Sequence, residues 1–296
     1  MIDFWIILTS CLVAIPCALL GCFLILRKMV MVGDAISHAV LPGIVIAYLF
    51  TGSFDSFWML IGASLTGLLT TVLIEFFHTK GKLQQDASIG VTFTWLFALG
   101  VILISVYTSG VDIDQDCVLY GDLINIPFSL WIMDDGTVMG PTAVWFLAGI
   151  TVAIIGFIVA CYKALYITTF DPEYASILGI SIAVWHYSLM SAVSVVTVSS
   201  FQAVGAILVL AFLVVPAATA YLLTDSLRTM LWLSVLIGVV DVLGGFYAAV
   251  WLDATIAGCI AAFSGLVFFK YFSACPNYTA KLSPHPQVLE ALGFTK

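Results

Sequence analysis

The polar residues of this chain are confined to short segments that separate long, almost uninterrupted apolar runs. Each run is long enough to cross a hydrocarbon layer about 30 Å thick as an α-helix. The pattern predicts about nine membrane-spanning helices, within a range of eight to ten because a short re-entrant segment resembles a span. Their predicted positions are residues 4–26, 35–50, 57–77, 87–106, 142–162, 180–198, 202–223, 230–251 and 255–272.

The composition of the chain also indicates a membrane protein. Hydrophobic residues make up 62% of the chain and charged residues 9%, and the mean hydropathy is +1.17, values that exclude a water-soluble globule. We predict an all-α polytopic membrane protein with one transmembrane domain over residues 1–272 and no soluble catalytic domain. The stretch 107–141 is predicted to be an acidic extracytoplasmic loop, and residues 273–296 a loosely ordered cytoplasmic tail.

The basic residues determine the predicted orientation. When the spans are threaded alternately from an N-terminus on the outside, all nine Lys and Arg residues fall in cytoplasmic loops or in the tail, as the positive-inside rule requires. These residues are Arg27, Lys28, Lys80, Lys82, Lys163, Arg228, Lys270, Lys281 and Lys296.

The outer side is correspondingly acidic. A face of one negative sign raises the local concentration of cations and attracts basic partner surfaces. The insertion rule alone also accounts for an outer side without Lys and Arg. The net charge of −8 and the absence of a basic stripe argue against a nucleic-acid partner. The predicted outer acids are Asp3, Asp55, Asp112, Asp114, Asp116, Asp122, Asp134, Asp135 and Asp253.

Two residue types that bind metal ions lie near the start of the second predicted span. Asp34 and His38 in GDAISHAVLPG (33–43) are four residues apart, which places them on one face of a helix. A carboxylate and an imidazole suit Mn²⁺, Fe²⁺ or Zn²⁺. Pro42 and Gly43 are predicted to break or kink this helix and to free backbone carbonyls beside the pair. Alternatively, Asp34 caps its own helix and a neighbour satisfies His38.

Asp241 lies in the middle of another apolar run. A charge deep in a membrane costs at least about 2.5 kcal/mol, so this residue is a candidate functional group, for example a further metal donor. Pairing with a Ser, Thr or His on another helix is the alternative. His186 is interpreted as a packed polar residue, and Glu75 as a solvated charge at an inner helix end.

A short helix is predicted on the cytoplasmic side, in FDPEYASILGI (170–180). Asp171 is a good N-cap, Pro172 suits the first helical position, Glu173 favours the positive helix end, and Gly179 can end the helix in the left-handed conformation. Such a helix would serve as a docking element for a soluble partner. The alternative is an ordinary connecting helix.

The run 202–223 is rich in small residues and contains Pro216, which would free a backbone carbonyl inside the membrane. We predict that Gln202 and Pro216 mark a helix break or line a path or a subunit interface. The sequence contains no phosphate-binding loop, no HExxH motif and no GxSxG motif. We therefore expect no ATP binding and no hydrolytic activity of these kinds in the chain itself.

Together, these motifs resemble those of the membrane permeases of ATP-binding-cassette (ABC) importers for manganese, zinc and iron. The matching stretches are VGDAISHAVLPG (32–43), DASIGVTFTWLFALGVILIS (86–105), FDPEYASILGI (170–180), VGAILVLAFLVVPAATA (204–220) and LDATIAG (252–258). The resemblance implies a type II ABC-importer-like permease of the bacterial inner membrane. It also implies that Asp34 and His38 lie on the metal path.

The resemblance implies several partners: a cytoplasmic ABC ATPase that uses the ATP, an extracytoplasmic metal-binding protein, and a second permease copy or a paralogue. Membrane lipid surrounds the dimer. The divalent metal ion is a substrate, and no permanently bound cofactor is expected. The ATPase-coupling helix maps onto residues 171–179, whose candidate coupling residues are Asp171, Pro172, Glu173, Tyr174, Ala175, Leu178 and Gly179.

Two other functions remain open at this point. In an ion-coupled secondary metal transporter, Asp34 and Asp241 would be protonation sites. An intramembrane hydrolase using the His–Asp pair is disfavoured by the lack of a nucleophile motif. Mn²⁺, Fe²⁺ and Zn²⁺ share these ligand types, so the sequence does not distinguish between them.

Overall fold

The computed structural model describes residues 2–51, 56–107, 121, 123, 126–128, 130–132 and 138–274. Within these ranges, nine helical segments are long and apolar enough to cross a membrane, in agreement with the predicted number. The predicted acidic loop is described only in part. Nearly all of the predicted tail, residues 275–296, lies outside the described residues.

The described helices follow one another with short connections. Their bounds are α1 Ile2–Leu26, α2 Met31–Ala39, α3 Leu41–Thr51, α4 Ser56–Thr79, α5 Gln85–Tyr107, α6 Thr142–Phe170, α7 Pro172–Ile177, α8 Ile182–Val204, α9 Ala206–Leu223, α10 Leu227–Leu252 and α11 Ile256–Ala274. Between α5 and α6, a 3₁₀ turn at Ile126–Phe128 precedes a small antiparallel pair of strands, β1 Leu130–Ile132 and β2 Val138–Pro141.

Helix α1 lies at the centre of the bundle, where it packs against α6, α8, α9 and α10. Of its most apolar stretch, 67% is buried, compared with 28% for α6 and 17% for α11. Small residues allow the close packing: a Cβ at Gly21 would collide with the backbone carbonyl of Leu213 on α9. Outer helices such as α6 instead expose apolar side chains, which suits contact with lipid.

The second predicted span differs from the structure in one respect. The span predicted over 35–50 begins four residues earlier, at Met31, and consists of two helices, α2 and α3, that meet at Val40. The predicted break near Pro42 is therefore present. Proline has no N–H to donate to the carbonyl of His38, four residues earlier, and its ring crowds that carbonyl.

The boundary between the sixth and seventh spans was predicted wrongly. Gln202 was assigned to the seventh span, but it belongs to α8, which ends at Val204. The chain reverses at Gly205, whose φ of 80° favours glycine, and α9 begins at Ala206. Small and apolar residues continue on both sides of this turn, so hydropathy alone does not locate it.

Candidate metal site and coupling helix

Asp34 and His38 lie on adjacent turns of the same face of α2. The distance between Asp34 Oδ1 and His38 Nε2 is 3.6 Å, and the two side chains are 41% and 44% exposed. The His38 ring lies 5.8 Å from the ring of Phe93 on α5, centroid to centroid, and 6.2 Å from that of Phe97. The pair is therefore backed by aromatic rings and open on its other side.

The opposite face of α2 holds the helix in the bundle, since Val32, Ala35 and Ile36 are fully buried. The capping role considered for Asp34 is wrong. Val30 occupies the N-cap position, and no side chain caps the helix. Ser37 does not extend the pair, because its hydroxyl donates to the backbone carbonyl of Asp34 at 2.6 Å. The carboxylate is left available for a ligand.

The chain break beside the pair is tightly packed. Pro42 and Gly43 are both buried at the start of α3. A Cβ at Gly43 would collide with the backbone carbonyl of Gly62 on α4. A Cβ at Gly100 on α5 would lie 2.9 Å from the Pro42 ring. Neighbouring helices therefore hold the break at a defined position, directly beyond His38.

Asp241 is not brought together with Asp34 and His38. Among the described residues, no three His, Cys, Asp or Glu side chains are placed to hold one metal ion. Asp241 is fully buried on α10, which packs mainly against α1, α9 and α11. Ser264 on α11 is close enough to interact with the Asp241 carboxyl group. The carboxylate oxygens of Asp241 and the hydroxyl of Ser264 lack a well-formed hydrogen bond.

A polar cluster that no sequence motif indicates lies at the helix ends that the distribution of Lys and Arg predicts to be cytoplasmic. Arg27, just after α1, donates from Nε to the hydroxyl of Thr169 and from Nη2 to that of Thr168, both at 3.1 Å. Burial lowers the pKa of the Arg27 guanidinium. Nε2 of His186 lies 3.8 Å from Oε2 of Glu75, and Arg27 is close enough to act on His186 electrostatically.

This cluster joins four elements around the short helix α7. Thr168 and Thr169 end α6 immediately before α7, and His186 lies in the first turns of α8, which follows it. Arg27 begins the connection to α2. No local spacing signals this arrangement, because the participating residues lie far apart in the chain. Glu75 was interpreted as a solvated charge, but its side chain is only 35% exposed.

Helix α7 has the cap that the sequence predicts. Asp171 is the N-cap, and its Oδ1 accepts a hydrogen bond from the Tyr174 N–H at 2.9 Å. Gly179 has a φ of 77°, as expected for a residue that ends a helix. Ala175 is buried, and Pro172 occupies the first helical turn.

The exposed face of α7 carries apolar side chains. Tyr174, Ile177 and Leu178 are all exposed, with Ile177 at 80%. The capping pattern in the sequence does not single out Ile177. Exposed apolar side chains on a rigid, capped helix are typical of a docking surface for another protein.

Pro216 does not break its helix. Helix α9 is continuous through Pro216, and this residue is buried. A Cβ at Gly238 on α10 would lie 3.8 Å from the Pro216 ring, so the two helices are in close contact there. A packed neighbour makes one lost backbone hydrogen bond tolerable inside a membrane. The expected helix break at this position is therefore wrong. The side chain of Gln202 lies outside the described part of the chain.

Comparison with known proteins shows to which family the chain belongs. Residues 2–274 match the model of the ABC 3 transport family. The chain is 47% identical over 272 residues to the manganese transport system membrane protein MntD of Bacillus subtilis (strain 168), covering 92% of each chain. It is 35% identical over 278 residues to the zinc transport system membrane protein TroD of Treponema pallidum (strain Nichols), covering 92% of this chain and 74% of that protein.

A solved structure agrees with these relatives. The structure of PsaBC from Streptococcus pneumoniae in complex with Fab matches with a TM-score of 0.75 and 33% identity, covering 92% of this chain and 91% of that chain. Family, sequence relatives and helical architecture all agree with the resemblance of the motifs. The chain belongs to the ABC 3 transport family, as a multi-pass membrane permease subunit whose ATPase is a separate protein.

Proposed function

We propose that this chain is the permease of an ABC importer for divalent transition metal ions, with Mn²⁺ as the principal cargo and Zn²⁺ as the second. The observation that carries the proposal is the open Asp34–His38 pair on α2. Oxygen and nitrogen donors suit both ions. The relatives named above are manganese and zinc transport proteins, and none of them supports iron.

Two donors from one chain are too few for a resident metal site, which takes at least four ligands. We propose that a second permease copy places its own Asp34–His38 pair opposite the first. The two pairs together would supply four donors on a dimer axis. Their large exposed fractions, 41% and 44%, leave room for such an arrangement. A site shared between two subunits would open when they move apart, so the ion could be released.

We propose one partner for the cytoplasmic side of the molecule and one for its outer side. We propose that the cytoplasmic ATPase docks on α7 through Tyr174, Ile177 and Leu178, because these side chains are exposed and apolar. We propose that an extracytoplasmic binding protein delivers the metal to the acidic outer face. ATP is used by the partner, and the permease holds no permanent cofactor. Movement of α7 would reach α2 through Arg27.

The proposal is tested by uptake of radioactive Mn²⁺ and Zn²⁺ into proteoliposomes that contain the permease, its ATPase and its binding protein. We expect ATP-dependent uptake that His38→Ala reduces to background while the complex still co-purifies. His78→Ala is the matched control, since His78 lies at the exposed inner end of α4. Normal uptake by His38→Ala would refute the role of the pair. ATP-independent uptake would support the secondary transporter instead.

A further inference from the structure

A groove on the outside of the bundle is lined by residues that have no part in the proposed metal path. Its volume is about 470 Å³, and it lies between α6 and α10, with Ile15 and Leu19 of α1 as its floor. Helices α6 and α10 each pack against α1 but make no comparable contact with each other. The groove is therefore a gap in the outer layer of helices.

The walls of the groove are apolar along most of its length. Ile155, Ile158 and Val159 of α6 face Leu231 and Val235 of α10 across it. Val159 is 71% exposed, so the groove opens sideways towards the hydrocarbon of the membrane. An apolar channel of this kind is suited to an acyl chain.

The two polar side chains of the groove lie together. The Arg228 guanidinium carbon is 5.6 Å from the centre of the Tyr162 ring, within cation–π range, and both residues line the groove. Arg228 is the second residue of α10, so it lies at the membrane surface that the positive-inside rule assigns to the cytoplasm. A guanidinium binds phosphate oxygens in a planar, bidentate manner.

From this arrangement, we propose that the groove binds one anionic phospholipid of the cytoplasmic leaflet. Its phosphate headgroup contacts Arg228 beside Tyr162, and one acyl chain lies along the apolar walls. Basic pockets between membrane helices on the cytoplasmic side are suited to such headgroups. The groove lies away from the metal pair, because α2 packs mainly against α4, α5, α8 and α9. A dimer that closes over α2 would leave the groove open to lipid.

The test compares phosphatidylglycerol with phosphatidylcholine of the same acyl chains, added to the full chain in a mild detergent. Thermal unfolding is followed, and each variant is first shown to unfold cooperatively without lipid. We expect phosphatidylglycerol to stabilise the wild type at an about fivefold lower concentration than phosphatidylcholine, the ratio expected for one cationic contact. Arg228→Gln should abolish this preference, and Arg228→Lys should retain it.

Two further variants separate the headgroup from the acyl chain. Lys270→Gln removes a cation from the same predicted side, at the exposed inner end of α11, and should leave the preference unchanged. Val159→Trp should fill the groove and weaken binding of both lipids several-fold. Equal responses to the two lipids in the wild type, or a preference that survives Arg228→Gln, would overturn the proposal. So would a dimer that dissociates on Arg228→Gln without any lipid preference, which would make the groove a contact between copies.

Discussion

Burial separates the ionisable residues of the membrane region into two kinds. Asp34 and His38 are exposed on one face of α2 and remain available to a ligand. Asp241 is fully enclosed between α10 and its neighbours, with Ser264 nearby. Their common feature in the sequence, an ionisable group in apolar surroundings, therefore corresponds to two different environments in the structure. We expect Asp34 and His38 to meet the metal, and Asp241 to belong to the packing of α10.

This difference predicts that Asp241→Asn keeps ATP-dependent Mn²⁺ uptake near the wild-type rate. The amide keeps the shape of the carboxyl group and costs less to bury, so the melting temperature of the purified protein should not fall. Asp34→Asn is the matched variant and should lose uptake by at least about tenfold, as expected when a charged ligand is removed. Loss of uptake in a stable Asp241→Asn protein would restore Asp241 as a metal donor.

Arg27 provides the other prediction at the scale of single residues. Its guanidinium donates to Thr168 and Thr169 beside the start of α7. Arg27→Gln removes charge-assisted hydrogen bonds worth about 1.5 kcal/mol or more each, so uptake per ATP hydrolysed should fall by about tenfold. ATP hydrolysis by the partner should continue, because α7 and its cap are unchanged.

The control for this measurement is Lys28→Gln, which removes the neighbouring exposed cation. Both ATP hydrolysis and metal uptake are measured in the same proteoliposomes. If Arg27→Gln lowers hydrolysis and uptake in proportion, Arg27 only stabilises the fold. A lower ratio of uptake to hydrolysis, restored towards normal by Arg27→Lys, supports a role in coupling.

At the scale of helices, α3 and α4 cross where each has a small residue every four positions. Gly43 and Ala47 of α3 face Gly62 and Thr66 of α4. Such pairs allow the backbones to approach closely inside a membrane. This crossing holds α3 in place just beyond the break at Val40, so it also holds the end of α2 that carries His38.

We therefore predict that Gly43→Ala destabilises the protein by about 1–3 kcal/mol, because the added methyl would meet the carbonyl of Gly62. Gly149→Ala is the control, because Gly149 is an exposed residue of α6 and a methyl group added there would have no neighbour within 4 Å. It should be neutral or stabilising by up to about 1 kcal/mol. Thermal unfolding in detergent measures both variants. Equal melting temperatures would contradict the close crossing of α3 and α4.

Helix positions were largely predictable, whereas several boundaries were not. Membrane spans follow from hydropathy, and the cap of α7 follows from the order Asp171, Pro172 and Glu173. The turn at Gly205 was placed wrongly because apolar residues continue through it. Pro216 was expected to break α9, but packing against α10 preserves the helix. Local signals thus fail where neighbouring helices compensate for a lost hydrogen bond, or where hydropathy does not change across a turn.

For the whole molecule, the distribution of Lys and Arg predicts an N-terminus outside and a cytoplasmic C-terminus. A single cysteine at Ala254, in the connection between α10 and α11, should react with an impermeant maleimide on intact cells. A cysteine at Gln84, between α4 and α5, should react only after permeabilisation. Both positions are exposed, and both variants are made in a cysteine-free background. The reverse labelling pattern would invert the proposed import direction.

What the sequence alone determined is local or additive. Hydropathy and charge sum along the chain, so they determined the membrane class and the number of spans, and short local motifs carried the family resemblance. Helical spacing placed Asp34 and His38 on one face, since four residues make one turn. What only the tertiary structure decided depends on which helix faces meet: the separation of Asp241 from that pair, the hydrogen bonds of Arg27, and the groove beside Arg228. Those contacts join residues far apart in the chain, and no local pattern specifies them.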